Sequence, residues 1–273
     1  MQCLLFMMQL PHSACDCYSS LAFHSTEEVG QVSAAGLEEL RARVLEVRQR
    51  IREAARRSRR SPQDVTLVAV SKTHPPDLLS LAIKAGVSDL GENRVQEAEE
   101  KIGELGRASA RWHLIGHLQA NKARRAVALF DLIHSLDSPA LAKRLDRLCA
   151  EEGREELPVL IQVNLGDEAS KSGIPEEALP ELVQTVRACE RLRLLGLMTL
   201  PPYFEEAEEV RPYFRRLREL RDTISSRGAF AAGRGELSMG MSHDFEVAIE
   251  EGATMVRVGT AIFGEREQRR AIG

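Results

Sequence analysis

The deficits of this 273-residue chain narrow its functions before any motif does. With 37 Lys and Arg against 41 Asp and Glu, a formal charge of −4 leaves no basic surplus for nucleic acid. The five cysteines form no metal-type pairs: Cys3, Cys15 and Cys17 lie near the start, and Cys149 and Cys189 stand alone. Such usage fits a reducing cytoplasm, which is the expected location. No apolar run approaches the roughly 20 residues of a membrane helix. No fixed-period repeat or low-complexity tract is present, which excludes solenoids. Residues 1–36 hold no Lys or Arg. Their short patch CLLFMM therefore lacks the positive flank, and the length, of a secretory signal. They read as a tail, either disordered or the product of a start codon placed too far upstream, with a single domain over residues 37–273.

What is present begins at Leu37. Leu40, Val44, Val47, Ile51 and Ala54 recur at spacings of three and four with Arg and Glu between them, which predicts an amphipathic helix ending near Ser61 and Pro62. Short apolar runs then alternate with helical patterns: VTLVAV, SDLGEN, RWHLIG, DLIHSL, LPVLIQVNL, LRLLGLMTL, ELSMGM and TMVRVG each precede a helix or helical turn. Eight such units predict an α/β fold, a single TIM-type (β/α)8 barrel with an extra N-terminal helix, in a chain close to the usual barrel length of about 250 residues. A doubly wound open sheet is the alternative.

In such a barrel the active face lies at the C-terminal strand ends, with a phosphate site commonly after strands seven and eight. Lys72 closes VTLVAVSK at the first of these ends, where desolvation favours the neutral amine that attacks an aldehyde. Ser242 follows strand seven as a candidate N-cap of a helix beginning at His243, and Gly259 and Thr260 follow strand eight; together they suit an anion. Arg257 precedes them by alternation toward the barrel interior, where a guanidinium beside a pyridine nitrogen would keep that nitrogen unprotonated. A carbonyl-trapping amine and a phosphate cup together point to pyridoxal 5'-phosphate (PLP). Asn93, ending strand two, can face a bound ring. By spacing alone, Ser242 is equally a routine cap, Arg257 equally a salt-bridged arginine, and Glu92 and Asn93 equally caps of the next helix. Lys171 lies in the loop after strand five and reads as a solvated lysine. His113 and His117 lack the partners of a metal site, and no metal is expected.

The segments VAVSKTHP, LGENRVQE, WHLIGHLQANKAR, IQVNLGDEASKSGI, GLMTLPP and LSMGMSHDFEVAIEEGATMVRVGTAIFGER, in that order, resemble the pyridoxal phosphate homeostasis protein family, relatives of the N-terminal barrel of alanine racemase. The likeness runs from about Leu37 to Arg266. It implies that Lys72 forms the internal aldimine, Asn93 lies beside the cofactor, Arg257 faces the pyridine nitrogen, and Ser242, Gly259 and Thr260 hold the phosphate. It also implies a cytoplasmic protein that influences vitamin B6 and amino-acid pools without turnover of its own, with amino acids and PLP-acceptor enzymes as partners. A monomer without nucleic-acid or membrane partners is expected. The enzyme alternative is a PLP-dependent amino-acid racemase or lyase. Alanine racemase needs a β-rich second domain that brings a catalytic tyrosine; few residues follow the eighth unit here, and none of Tyr18, Tyr203 and Tyr213 stands out as a second base.

Overall fold

The computed structural model describes residues 25–166, 172–231 and 233–264, with side chains from residue 35. Contacts divide the chain into two units, Met1–Gly36 and Leu37–Gly273. The first helix, α1 (Ser25–Arg57), begins earlier than the Leu37 onset read from the apolar pattern. The rest of the expected tail and Lys171 lie outside the described residues.

Eight parallel strands close a barrel in chain order: β1 (Thr66–Val70), β2 (Asp89–Glu92), β3 (Arg111–Leu114), β4 (Leu132–Leu136), β5 (Leu157–Gln162), β6 (Leu192–Met198), β7 (Glu236–Met241) and β8 (Met255–Val258). The helices between them are α2 (Pro76–Lys84), α3 (Val95–Leu105), α4 (Ala123–Leu129), α5 (Pro139–Glu151), α6 (Leu179–Ala188), α7 (Arg211–Ser225) and α8 (Phe245–Glu250), with a short α9 (Thr260–Phe263) after β8. The eight predicted strands are thus the eight observed. An open sheet is excluded by the seam, where β1 pairs with β2 on one side and with β8 on the other.

Local chemistry explains several boundaries. Ser138 Oγ accepts from Leu141 N at the start of α5, with Pro139 preset for a first helical turn. Alternation sends one strand face to the helix layer, where fully buried Trp112, Phe130, Phe214 and Phe245 anchor the main core. Each fully buried aliphatic or aromatic side chain contributes roughly 1.5–3 kcal/mol before entropy is counted. The other face lines the barrel, where Leu132, Leu160, Met198 and Met255 form a separate apolar cluster. From Leu37 onward α1 buries Leu40, Val44, Val47, Ile51 and Ala54, the stripe predicted from spacing. It is tied to α8 by Arg50 to Glu246 and Arg57 to Glu250, with the Arg50 guanidinium 4.6 Å over the Phe245 ring. Among the described residues no helix is long and apolar enough to cross a membrane.

Candidate functional site

The C-terminal ends of β7, β8, β1 and β2 are neighbours, and all six residues singled out in the sequence lie on them or just beyond. Val68 pairs with Arg257 and Ala69 with Val258, so Gly259 and Thr260 stand level with the end of β1. On the other side Val70 pairs with Gly91, so the Lys72 turn runs beside Asn93. Lys72 is half-buried in that turn, just past the strand. The next residue, Thr73, has φ 67°, a left-handed conformation that is an outlier for a β-branched residue.

The turn is braced from below. Lys101, buried on α3, donates from Nζ to Ser71 O, to Glu92 Oε1 and to Glu97 Oε1, each at 2.7 Å. Ser71 Oγ donates to the same Glu92 oxygen at 2.6 Å, and the Thr73 N–H donates to Glu97. Burial pushes the Glu92 carboxyl up against the pull of Lys101, and Glu92 Oε2 has no hydrogen-bond partner among the described residues. Glu92 is therefore no helix cap, and neither is Asn93: Arg94 is the N-cap of α3 and makes no side-chain cap bond. On the seam side His74 stacks on Phe263 of α9, with ring centroids 4.7 Å apart.

Two glycines permit the close approaches. A Cβ on Gly116, after β3, would collide with the carbonyl oxygen of Asn93, so glycine there lets the Asn93 backbone sit against that loop. Gly240 has φ 92°, and a Cβ would lie 2.6 Å from that of Ala248, so the end of β7 bends only as glycine.

Ser242 occupies a turn and is not the cap predicted for it. The N-cap of α8 is Asp244, whose Oδ1 accepts from Met241 N at 2.6 Å and whose carboxyl burial pushes up. Ser242 Oγ instead accepts from Gly259 N at 3.1 Å, joining the ends of β7 and β8. Its own hydrogen stays available to an anion. The N–H groups that open α9 at Thr260 and Ala261 have no carbonyl one turn back to bond. Thr260 is exposed, and Gly259 lies against β1, where a Cβ would sit 3.4 Å from Val70 Cβ.

Arg257 is buried, and burial lowers its guanidinium to about 10. Its partners are neutral: Nη1 donates to Ser238 Oγ at 2.6 Å and Nη2 to Thr199 O at 2.8 Å. The alternative of a salt-bridged arginine at the mouth is not what forms. Beyond Ser238 lie His134, His113 and Asp89, buried polar residues that sequence spacing did not connect. A usable signal existed: His113 and His134 interrupt apolar strands at positions whose parity points into the barrel.

This is the architecture of the alanine racemase N-terminal domain, whose family model matches residues 44–267. The alanine racemase of Corynebacterium glutamicum shares the fold at 18% identity, with a TM-score of 0.60 over 86% of this chain and 62% of that one. Within that class the chain belongs to the pyridoxal phosphate homeostasis protein family. It is 44% identical to the Aquifex aeolicus member over 225 residues, 82% of this chain and 97% of the relative. It is 45% identical to the Escherichia coli K12 member over 228 residues, 81% of this chain and 94% of the relative. PipY of Synechococcus elongatus PCC7942, solved with PLP bound, superposes with a TM-score of 0.70 at 38% identity, covering 82% of this chain and all of that one.

Proposed function

We propose that this protein holds PLP covalently through Lys72 and takes part in intracellular PLP homeostasis without turnover of its own. The carrying observation is the meeting of four strand ends, with the Lys72 turn between Asn93 and the pair Ser242 and Gly259. The residues fit the cofactor. A serine hydroxyl and the opening N–H groups of α9 suit a phosphate, glycine removes the side chain that would crowd it, and a buried guanidinium suits an unprotonated ring nitrogen. When bound, PLP supplies an aldehyde that condenses with primary amines. Lys72 provides the amine, Arg257 orients the ring and keeps its nitrogen an acceptor, and Ser242, Gly259 and Thr260 hold the phosphate. Asn93 borders the ring. The amine of an amino acid would compete with Lys72 for that aldehyde, which would give a route to hand the cofactor on. The relatives named for PLP homeostasis and PipY with PLP bound support this reading.

A reading without turnover is supported by the tyrosines among the described residues, Tyr18 lying outside them: Tyr203 is exposed beside His243, and Tyr213 packs on Phe204 in the outer helix layer. Neither is held as a second base. The test is an absorption spectrum of the PLP-treated protein before and after borohydride, with peptide mapping and a Lys72→Ala control. A Schiff-base band fixed by reduction onto Lys72 is expected, and an adduct elsewhere refutes the assignment. Arg257→Ala should weaken retention or shift the band; no change in either removes Arg257 from the site. Sustained amino-acid racemisation or lysis that disappears in Lys72→Ala would instead establish the enzyme.

A further inference from the structure

Across the barrel interior five buried polar side chains form an unbroken line whose hydrogens can be assigned one by one. Arg257 Nη1 donates to Ser238 Oγ at 2.6 Å. Ser238 Oγ lies 2.8 Å from His134 Nδ1, His134 Nε2 lies 2.9 Å from His113 Nδ1, and His113 Nε2 lies 3.0 Å from Asp89 Oδ1. A guanidinium only donates, so the serine oxygen accepts from it, and the one serine hydrogen is left for His134 Nδ1. His134 then carries its hydrogen on Nε2 and donates to His113 Nδ1. His113 in turn carries its hydrogen on Nε2 and donates to Asp89.

The opposite arrangement starts from a protonated His113, which donates to both neighbours. Ser238 would then accept from both sides, with its hydrogen facing no acceptor among the described residues, a costly state for a buried hydroxyl. The surroundings also favour the first arrangement. Burial, with the positive Arg257 and Arg111 nearby, drives His134 toward the neutral ring. Burial pushes Asp89 up, but hydrogen bonds from His113 and Ser88 outweigh it and hold the carboxylate ionised. No cluster that could hold a metal exists among the described residues, so hydrogen bonds alone account for these histidines.

We propose that Ser238, His134, His113 and Asp89 form a one-way hydrogen-bond chain, with both imidazoles neutral and hydrogenated at Nε2, that positions Arg257 for the ring nitrogen of PLP. The part that concerns PLP rests on the function proposed above. Every donor in the chain points away from Arg257, so each oxygen or lone pair faces back toward the guanidinium and the bonds polarise one another in one direction. The chain ends on Asp89, the first residue of β2, where Ser88 Oγ donates at 2.7 Å and the exposed Arg111 stands 3.5 Å away. It thus runs from the ligand end of the barrel to the opposite face. With Nη1 held by Ser238 and Nη2 by Thr199 O, the guanidinium cannot rotate, and its remaining N–H groups are those a ring acceptor meets.

Two measurements on the full-length protein test this. In the PLP-free protein, long-range 1H–15N correlation of 15N-labelled histidine should show His113 and His134 neutral and hydrogenated at Nε2. An Nδ1–H tautomer or a doubly protonated ring at either position overturns the chain. In the PLP-loaded protein, Ser238→Ala should retain the Lys72 adduct but bind PLP about threefold to tenfold more weakly, the size of one net hydrogen bond. Its absorption band should also move, and Ser238→Thr, which keeps the hydroxyl, should restore both. Unchanged retention and band in Ser238→Ala overturn the positioning role. If the wild type fails to bind PLP at Lys72, the function proposed above falls and the PLP part of this inference with it, while the histidine spectrum still decides the direction of the chain.

Discussion

Replacing Lys101 with Met keeps the stem that fills its buried site and removes the ammonium, leaving Glu92, whose side chain is fully buried, with a single hydrogen bond from Ser71. A carboxylate stranded in this way relieves itself by taking up a proton. At pH 7, protonating a carboxyl of ordinary pKa costs about 3.7 kcal/mol, at 1.36 kcal/mol per unit, which caps the penalty from Glu92. At pH 5 the same step costs about 1 kcal/mol. The lost bond to Ser71 O adds about 1 kcal/mol at either pH. The sign follows from linkage. In the variant the folded-state pKa of Glu92 lies above its unfolded value, so the penalty vanishes below the unfolded pKa and grows as pH rises. Because burial already raises Glu92 in the wild type, urea unfolding at the two pH values should give a loss of at most about 5 kcal/mol at pH 7 and at most about 2 kcal/mol at pH 5, larger at pH 7. Adding Glu92→Gln should recover most of the pH 7 loss, since removing both charges of a buried pair is far cheaper than removing one. A loss that does not change with pH, or a double variant whose losses simply add, would refute the buried-charge account.

Gly116→Ala should cost at least about 2 kcal/mol and release bound PLP, because the new methyl displaces the Asn93 backbone; thermal unfolding and PLP retention check both. Thr73→Gly relieves a left-handed β-branched residue and should raise stability by up to about 1 kcal/mol. A loss of that size in urea would show that the threonine side chain matters more than its backbone strain. Burial pushes the Cys189 thiol up to about 11 and raises Cys149. At pH 8 the Cys189 thiolate is then about one part in a thousand, so iodoacetamide should spare it in the native protein and label it in urea, read by peptide mass.

The strands were legible because each is a short apolar run closed by turn residues, and their number fixes a barrel whatever their exact ends. The places of Lys72, Gly259 and Thr260 just past β1 and β8 were legible because the apolar runs before them end in turn residues. Ser242 was placed correctly but given the wrong partner. A serine three residues before a helix looks like a cap, and only the closed barrel shows that the N–H it accepts comes from Gly259, in the neighbouring strand end. The line from Arg257 to Asp89 was not legible as a line. Its members sit on five elements, and parity within one strand says which way a residue points, never which residue across the lumen it will meet. Lys101 was hidden for a different reason: on its helix it looks like one more solvated charge, and its burial follows from the depth of Glu92 beneath the Lys72 turn.

The seam between β8 and β1 gives the site a folding history. Lys72 and Gly259 lie near opposite ends of the barrel sequence yet stand beside each other, so the ligand cannot be gripped by any partly made barrel. With PLP held as proposed, a chain emerging from the ribosome would present Lys72 early and Gly259 and Thr260 last, and affinity would arrive only when the final strand zips against the first. Bound PLP then stabilises the closed form by an amount that grows with its concentration over Kd, making the cofactor a latch on a strand pairing that joins the two ends of the barrel sequence.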